Sequence, residues 1–324
     1  MFYTLHTLKI IQPKNVVNIR FFCYNMYLKS GDCMTKILVI PSSIKMLNEL
    51  INKCDGFIVG MKDFSANVPI SFSIEELKNI SKICKDNNKE LFVSVNKNIH
   101  NSELETLLDV LKKLSVLDIT GIMFYDIAIL NLNNKFKLNL NLVWSQEHLT
   151  TNYATCNFWN SYGVNSVYLS SDITLDEIID IKNNIKMNTF VNVFGYLPMF
   201  ASRRHLVKNY LDTFNLTDNS SAYKICKEGK KYTIVDNNLG SLVYSSNILN
   251  GLDEVLILKE NNINYVVLNS FDVIDSLFTE VVNLFTNVTK DNVKSYNNKI
   301  NEMFDNIDKG FLYKETVYKV KNNE

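Results

Sequence analysis

The sequence predicts an α/β fold: a single-domain (β/α)8 barrel of the TIM type with a β-hairpin insertion between its seventh and eighth units. Three observations predict it. From Met34 onward, short apolar runs alternate with amphipathic helical patterns eight times, over about the length that such barrels occupy. The runs are apolar throughout, as strands of a parallel sheet covered by helices must be. No glycine-rich phosphate turn follows the first run, where Ile40-Pro41-Ser42-Ser43 stands, which disfavours a doubly wound open sheet.

The elements follow in order. Ile37–Ile40 reads as a strand and Ile44–Asn52 as a helix. Gly56–Gly60 pairs with a helix over Ile74–Asn87, opened by Ser73 with an acid three residues on, a capping box. Leu91–Val95 leads to Ser102–Leu114, and Gly121–Phe124 to a short helix ending at Asn131. Leu140–Trp144 leads to a helix near Tyr153–Tyr162, and Ser166–Leu169 to Leu175–Asn183, capped by Thr174 with Glu177. Thr189–Phe194 is the seventh strand, followed by a loop and a helix through Leu206–Leu211. Tyr265–Leu268 and Val273–Phe285 form the eighth unit. Between these last two units, Tyr223–Cys226, Lys231–Asp236 and Ser241–Tyr244 read as antiparallel strands with a turn at Asn237–Gly240, expected to cover the barrel mouth.

Residues 1–33 carry no periodicity leading into the barrel and no secretory pattern. They read as a non-native or disordered extension ahead of a natural start at Met34. The barrel domain is placed at 34–290, with the hairpin at about 222–245 and a charged helical tail at 291–324 whose end, Phe311–Val320, is strand-like.

Lysine plus arginine and aspartate plus glutamate number 34 each, so no global field draws the chain to nucleic acid, and a nucleic-acid role would need a local patch or a basic partner. No apolar run is long enough to span a membrane. The six cysteines are scattered without CxxC spacing, so they read as buried thiols in a reducing cytoplasm.

A barrel builds its ligand site from the loops that follow its strands. That rule gathers Lys62 and Asn67, Asn96 and His100, Tyr125 and Asp126, Gln146, Glu147 and His148, Asp172, Ser202 to His205, and Asn269 at one mouth. Asp126 and Asp172 serve equally as helix caps. Ser202 with His205 lacks a nucleophile elbow, and His100, His148 and Asp126 lack helical metal-ligand spacing. Arg203-Arg204-His205 stands out in a chain poor in arginine. Cations are unfavourable at a helix start, so the cluster calls for an anion. The candidate anion site is Arg203, Arg204, His205 and Ser202, with His100, Asn96 and Gln146 lining the same mouth.

The segment Phe194-Gly195-Tyr196-Leu197-Pro198-Met199-Phe200-Ala201-Ser202-Arg203-Arg204-His205-Leu206 resembles the corresponding loop of the peptidase U32 family, the collagenase-like peptidases. Gly60-Met61-Lys62-Asp63-Phe64-Ser65, Val95-Asn96 with His100, and Ser245-Ser246-Asn247-Ile248-Leu249 are similar to further motifs of that family. The resemblance runs from about Thr35 to Val288 and implies a barrel-like fold. Typical members carry cysteines where Pro198 and His205 stand, and those cysteines look like iron–sulfur ligands. The resemblance therefore implies no cluster and no metal in this chain. The segment is most similar to a cysteine-poor branch in low-GC Gram-positive bacteria, the tRNA hydroxylation proteins. That branch implies a cytoplasmic, cluster-free subunit that supports 5-hydroxylation of the tRNA wobble uridine. Its partner would be a cysteine-bearing U32 paralogue, tRNA would be a second partner, and prephenate or a similar carboxylate a ligand. A U32 peptidase (a hydrolase) and a non-catalytic scaffold are the alternatives.

Overall fold

In the computed structural model, residues 34–146, 148–217, 220 and 222–314 are described. The expected 1–33 extension, Glu147 and the end of the tail lie outside them. Thr35 onward forms one compact unit. Its strands are β1 (Lys36–Ile40), β2 (Gly56–Met61), β3 (Ser71–Phe72), β4 (Glu90–Val95), β5 (Gly121–Phe124), β6 (Leu142–Ser145), β7 (Ser166–Tyr168) and β8 (Asn188–Ser202). They continue with β9 (Tyr223–Lys227), β10 (Lys230–Asn237), β11 (Gly240–Asn250), β12 (Tyr265–Asn269) and β13 (Ile307–Asp308). Strands β1, β2, β4, β5, β6, β7, β8 and β12 pair in parallel, and β12 closes on both β8 and β1. The barrel is therefore closed.

The apolar runs are explained by burial on both faces. Leu38, Ile40, Ile58, Phe92, Met123, Val143, Phe190 and Val267 fill the barrel interior, where Phe190 stacks on Tyr265 at 4.2 Å and meets Phe92 edge-on at 5.1 Å. The alternate residues Ile37, Val39, Phe57, Val59, Val93 and Val191 face the helices. Each such fully buried side chain contributes about 1.5–3 kcal/mol.

The helices start where their caps dictate. Ser73 and Glu76 form the capping box of α2 (Ile74–Asp86), and Thr174 and Glu177 that of α6 (Leu175–Asn183), with α1 (Ile44–Leu50) capped by Ser43. The helix expected from Ser102 opens two residues later. Ser102 lies inside a 3-10 turn, Asn101–Glu103, which precedes α3 (Leu104–Leu114), and the His100 N–H donates to the Glu103 carboxylate at 2.9 Å. Asp126 caps α4 (Ile127–Phe136), which is longer than expected, and Asn152 caps α5 (Tyr153–Ser161).

Three differences from the sequence reading matter for the site. First, β8 does not end at Phe194. It runs on as an arm to Ser202, pairing antiparallel with β11 through Ser202↔Ser241, Phe200↔Val243 and Pro198↔Tyr244. Gly195 and Pro198 are residue types that ordinarily weaken or end a strand. Gly195 instead supplies a left-handed residue at φ +117°, where β8 exchanges β12 for β11, and Pro198 sits at an irregularity in the ladder, where a missing N–H is tolerated. Second, the inserted strands form a three-stranded antiparallel ribbon, β9–β10–β11, that is continuous with the arm.

Third, that ribbon and α7 (Leu206–Thr213) interrupt the seventh unit itself rather than separating units seven and eight. The helix that returns the chain over the barrel is α8 (Leu252–Glu260), whose Leu252, Val255 and Leu258 are buried. The eighth unit closes with α9 (Asp275–Thr286), and the tail adds α10 (Val293–Met303). The strand of the tail is β13, pairing with β11, whereas Phe311–Tyr313 is a turn. No helix among the described residues is long and apolar enough to cross a membrane.

Candidate functional site

The inner end of the mouth is a cavity of about 60 Å³ where apolar side chains such as Ile58, Val68 and Met123 meet the amides of Asn67, Asn96, Gln146, Asn192 and Asn269. By volume it has room for about two waters. Directly above it lies a cleft of about 340 Å³, lined by Ala66, Asn67, Asn96, Asn98, Tyr125, Gln146, His148 and the arm residues Met199, Phe200 and Ala201. That volume is at the lower end of small-molecule sites. A further groove of about 200 Å³ shares Ala66, Asn98, Tyr125 and Ala201 with the cleft and continues to Ser202, Arg203 and the Asn237–Gly240 turn.

Asn96 builds the floor. It is 4% exposed; its Oδ1 accepts from Ser65 Oγ at 3.1 Å and from the Ala66 N–H at 2.9 Å, and its Nδ2 donates to Asn67. One amide thereby fixes the loop after β2. Asn96→Leu leaves those partners unsatisfied, at about 1–3 kcal/mol. The expected result is a stability loss of that order, with faster amide exchange confined to Ser65–Val68. Unchanged exchange there would show that the loop is held by other contacts.

Gln146, which lines the cleft, accepts at Oε1 from the His148 and Leu149 N–H groups at 2.8 and 2.6 Å. His148 Nδ1 pairs with Asp172 Oδ2 at 2.9 Å, which orients its ring at the cleft wall. Deeper in, Tyr168 donates to Asn192 Oδ1 at 2.7 Å, and Asn192 Nδ2 donates to Ser171 at 2.8 Å.

Arg203 crosses the mouth. Its Nη1 donates to the Asn98 carbonyl at 3.2 Å and lies 3.7 Å from Glu103. Glu103 also pairs with Lys97 at 2.6 Å, and the Lys97 ammonium, first, with Arg203 adding to it, holds that carboxyl below the usual range. Two cations therefore share one carboxylate.

The structure divides the sequence candidates. Asn96, Gln146, Ser202 and Arg203 line the cleft and its groove. Arg204 is exposed, and its carbonyl is held by Ser241 Oγ at 2.8 Å. His205 lines a separate cavity against α7 and the ribbon. Ser202 Oγ accepts from the Arg204 N–H at 3.1 Å. His100 is exposed beside the 3-10 turn. Asp126 is engaged as a cap, accepting from Ala128 at 2.9 Å and from Ile99 at 2.7 Å.

Sequence reasoning missed Met199, Phe200, Asn98 and Asn192. Asn192 had a signal, as the lone polar residue in the run Phe190–Phe194. Pro198 and His205 do not fit a thiolate-ligated cluster: the one offers no donor, the other faces a different cavity, and Cys226 is exposed on β9. Among the described residues no group of three His, Cys, Asp or Glu is placed to hold a metal ion. Cys54, Cys84 and Cys156 are buried, and burial pushes the Cys54 thiol up to about 12 and the other two to about 11.

A closed eight-stranded β/α barrel with an amide-lined mouth and a sheet arm over it defines the class. The chain belongs to Peptidase family U32, which it matches over residues 43–322. It is 27% identical over 305 residues to tRNA hydroxylation protein P2 of Bacillus subtilis, covering 87% of this chain and 99% of that protein. It is 23% identical over 141 residues to tRNA hydroxylation protein P1 of the same organism, covering 44% of this chain and 33% of that one. To tRNA hydroxylation protein P of Escherichia coli it is 29% identical over 125 residues, 38% of this chain and 28% of that one.

Proposed function

We propose that this chain is the cluster-free subunit of a system that hydroxylates the wobble uridine of tRNA at carbon 5, acting beside a cysteine-bearing U32 paralogue. The observation that carries the reading is the likeness to tRNA hydroxylation protein P2, which extends over 99% of that protein. The cleft supports a role in holding a small carboxylate of the prephenate type. Its volume suits such a molecule, Gln146 lines it, and the Arg203 and Lys97 cations at the rim favour an anion. In this reading the chain binds and orients the carboxylate, and redox chemistry belongs to the paralogue.

The test is deletion of the gene followed by mass spectrometry of tRNA nucleosides, with complementation by variants. Hydroxyuridine-derived nucleosides are expected to vanish on deletion and to return with the wild-type gene. Arg203→Ala should lower the modification about tenfold or more, the size of a lost charge-assisted hydrogen bond. Arg204→Ala, outside the cleft, should stay near wild type. Unchanged nucleosides in the deletion strain would refute the reading. A normal level with Arg203→Ala would refute the anion site alone.

A further inference from the structure

Charge is distributed unevenly along this chain. Between Arg203 and Tyr232 lie seven lysines and arginines against three acids, so this stretch carries +4 in a chain whose total is zero. The excess concentrates on the β9–β10 ribbon. Lys227 and Lys230 stand directly opposite each other across a two-residue turn, Glu228-Gly229, whose φ values are +51° and +75°. Like charges facing each other across a ladder are destabilising, so the fold gains nothing from this pair. Lys224, on the opposite face, is neutralised by Asp272 at 2.7 Å. Lys227 and Lys230 have no acidic partner among the described residues, and both are exposed. Tyr232 and Ile225, also paired across the ladder, lie on the same face as these two lysines, and Ile225 is 43% exposed.

Lysines on an edge strand also guard against strand addition. That accounts for β9, which ends the sheet. At Lys230 and Lys231 β10 pairs with β9 alone, its ladder with β11 beginning at Ile234, so edge protection covers these lysines too, but not Tyr232 and Ile225 beside Lys227 and Lys230. A face that combines free cations with an aromatic ring and an aliphatic side chain matches a nucleic-acid strand, whose phosphates attract the cations and whose bases stack on the rings.

We infer that the Lys227–Lys230 face of the β9–β10 ribbon is an RNA contact that grips the backbone of the tRNA on which the two-protein system acts. The inference rests on the tRNA reading above. The ribbon is one sheet with the arm: Ile234 of β10 pairs with Val243 of β11, which pairs with Phe200 on the cleft wall. RNA held on the ribbon is therefore held in a fixed relation to the cleft.

The test measures binding of the full chain to a fluorescein-labelled, unmodified tRNA transcript over a series of salt concentrations. The variant is Lys227→Glu with Lys230→Glu. Its charge-matched control is Lys78→Glu with Lys82→Glu, two exposed positions on α2. Loss of two phosphate contacts is expected to lower the slope of log affinity against log salt by about 1.4–1.8, with affinity down at least tenfold; the control should move neither beyond its generic charge effect. Equal losses in the two variants would assign binding to overall charge and overturn the inference. So would wild-type RNA affinity in the ribbon variant, or no RNA binding by the chain; either result would leave the face to edge protection or to an acidic protein partner. Because this readout is binding in vitro, it stands apart from the deletion experiment. Ribbon-dependent binding with unchanged cellular nucleosides would sink the hydroxylation reading and keep the RNA contact.

Discussion

Gly195→Ala is expected to destabilise the protein on the order of 4 kcal/mol and to deform the cleft with it. Two independent costs meet at this position. Its φ of +117° lies where an L side chain is strained, and a Cβ there would stand 2.4 Å from the Asn269 carbonyl oxygen and 3.0 Å from the Asn269 Cβ. The obstacle is backbone at the end of β12, held in register by Leu268↔Phe194. Relief therefore requires the closing strand of the barrel to move, and not one side chain. Asn269 also walls the inner cavity, so the movement reaches the site. Gly163 provides the comparison: its φ is +87°, but nothing lies within 4 Å of its Cβ position. Gly163→Ala should cost about 1 kcal/mol, the conformational part alone. Urea unfolding of both variants measures the difference. Equal losses would mean that β8 and β12 can separate without penalty at this point.

The same position shows what the sequence could and could not disclose. The barrel strands were legible because both faces are buried, so each is an unbroken apolar run whatever its partners. The caps at Ser73 and Thr174 were legible because each is satisfied within four residues. The arm was not, because Gly195 and Pro198 carry the local signature of a turn, and only the distant pairing with β11 makes them part of a strand. The candidate cluster divides for the same reason. Arg203, Arg204 and His205 are adjacent in sequence, but backbone direction at the end of the arm sends Arg203 to the mouth and His205 to the opposite cavity. Helix α8 was missed because Glu254 interrupts its apolar pattern with a carboxylate that is 1% exposed. Its partners come from residues more than fifty positions further on.

Those partners define the second large effect. Glu254 accepts from Lys309 Nζ at 2.9 Å and from the Tyr313 hydroxyl at 2.9 Å, and Lys309 also reaches Asp253 at 2.9 Å. Lys309→Ala removes the one cation paired with this buried carboxylate among the described residues and is expected to cost about 3–5 kcal/mol. Replacing both members, Glu254→Leu with Lys309→Met, should recover most of that loss, because the cost lies in the uncompensated charge and not in the missing pair. The Tyr313 hydroxyl adds a signature in pH. Partial desolvation of the hydroxyl first, then its hydrogen bond to Glu254, pushes it up to about 12, although the residue is 61% exposed and solvent screens the effect. A group whose folded value is raised contributes its stability in full below the unfolded value, near 10, and loses it as pH climbs through the folded value. Stability should therefore decline between about pH 10 and 12 in the wild type, and that part of the decline should be absent in Tyr313→Phe. A Lys309→Ala variant within 0.5 kcal/mol of wild type, a margin typical of surface substitutions, would mean that Glu254 is satisfied without its cation. The segment after α10 would then not be fastened to the barrel by charge.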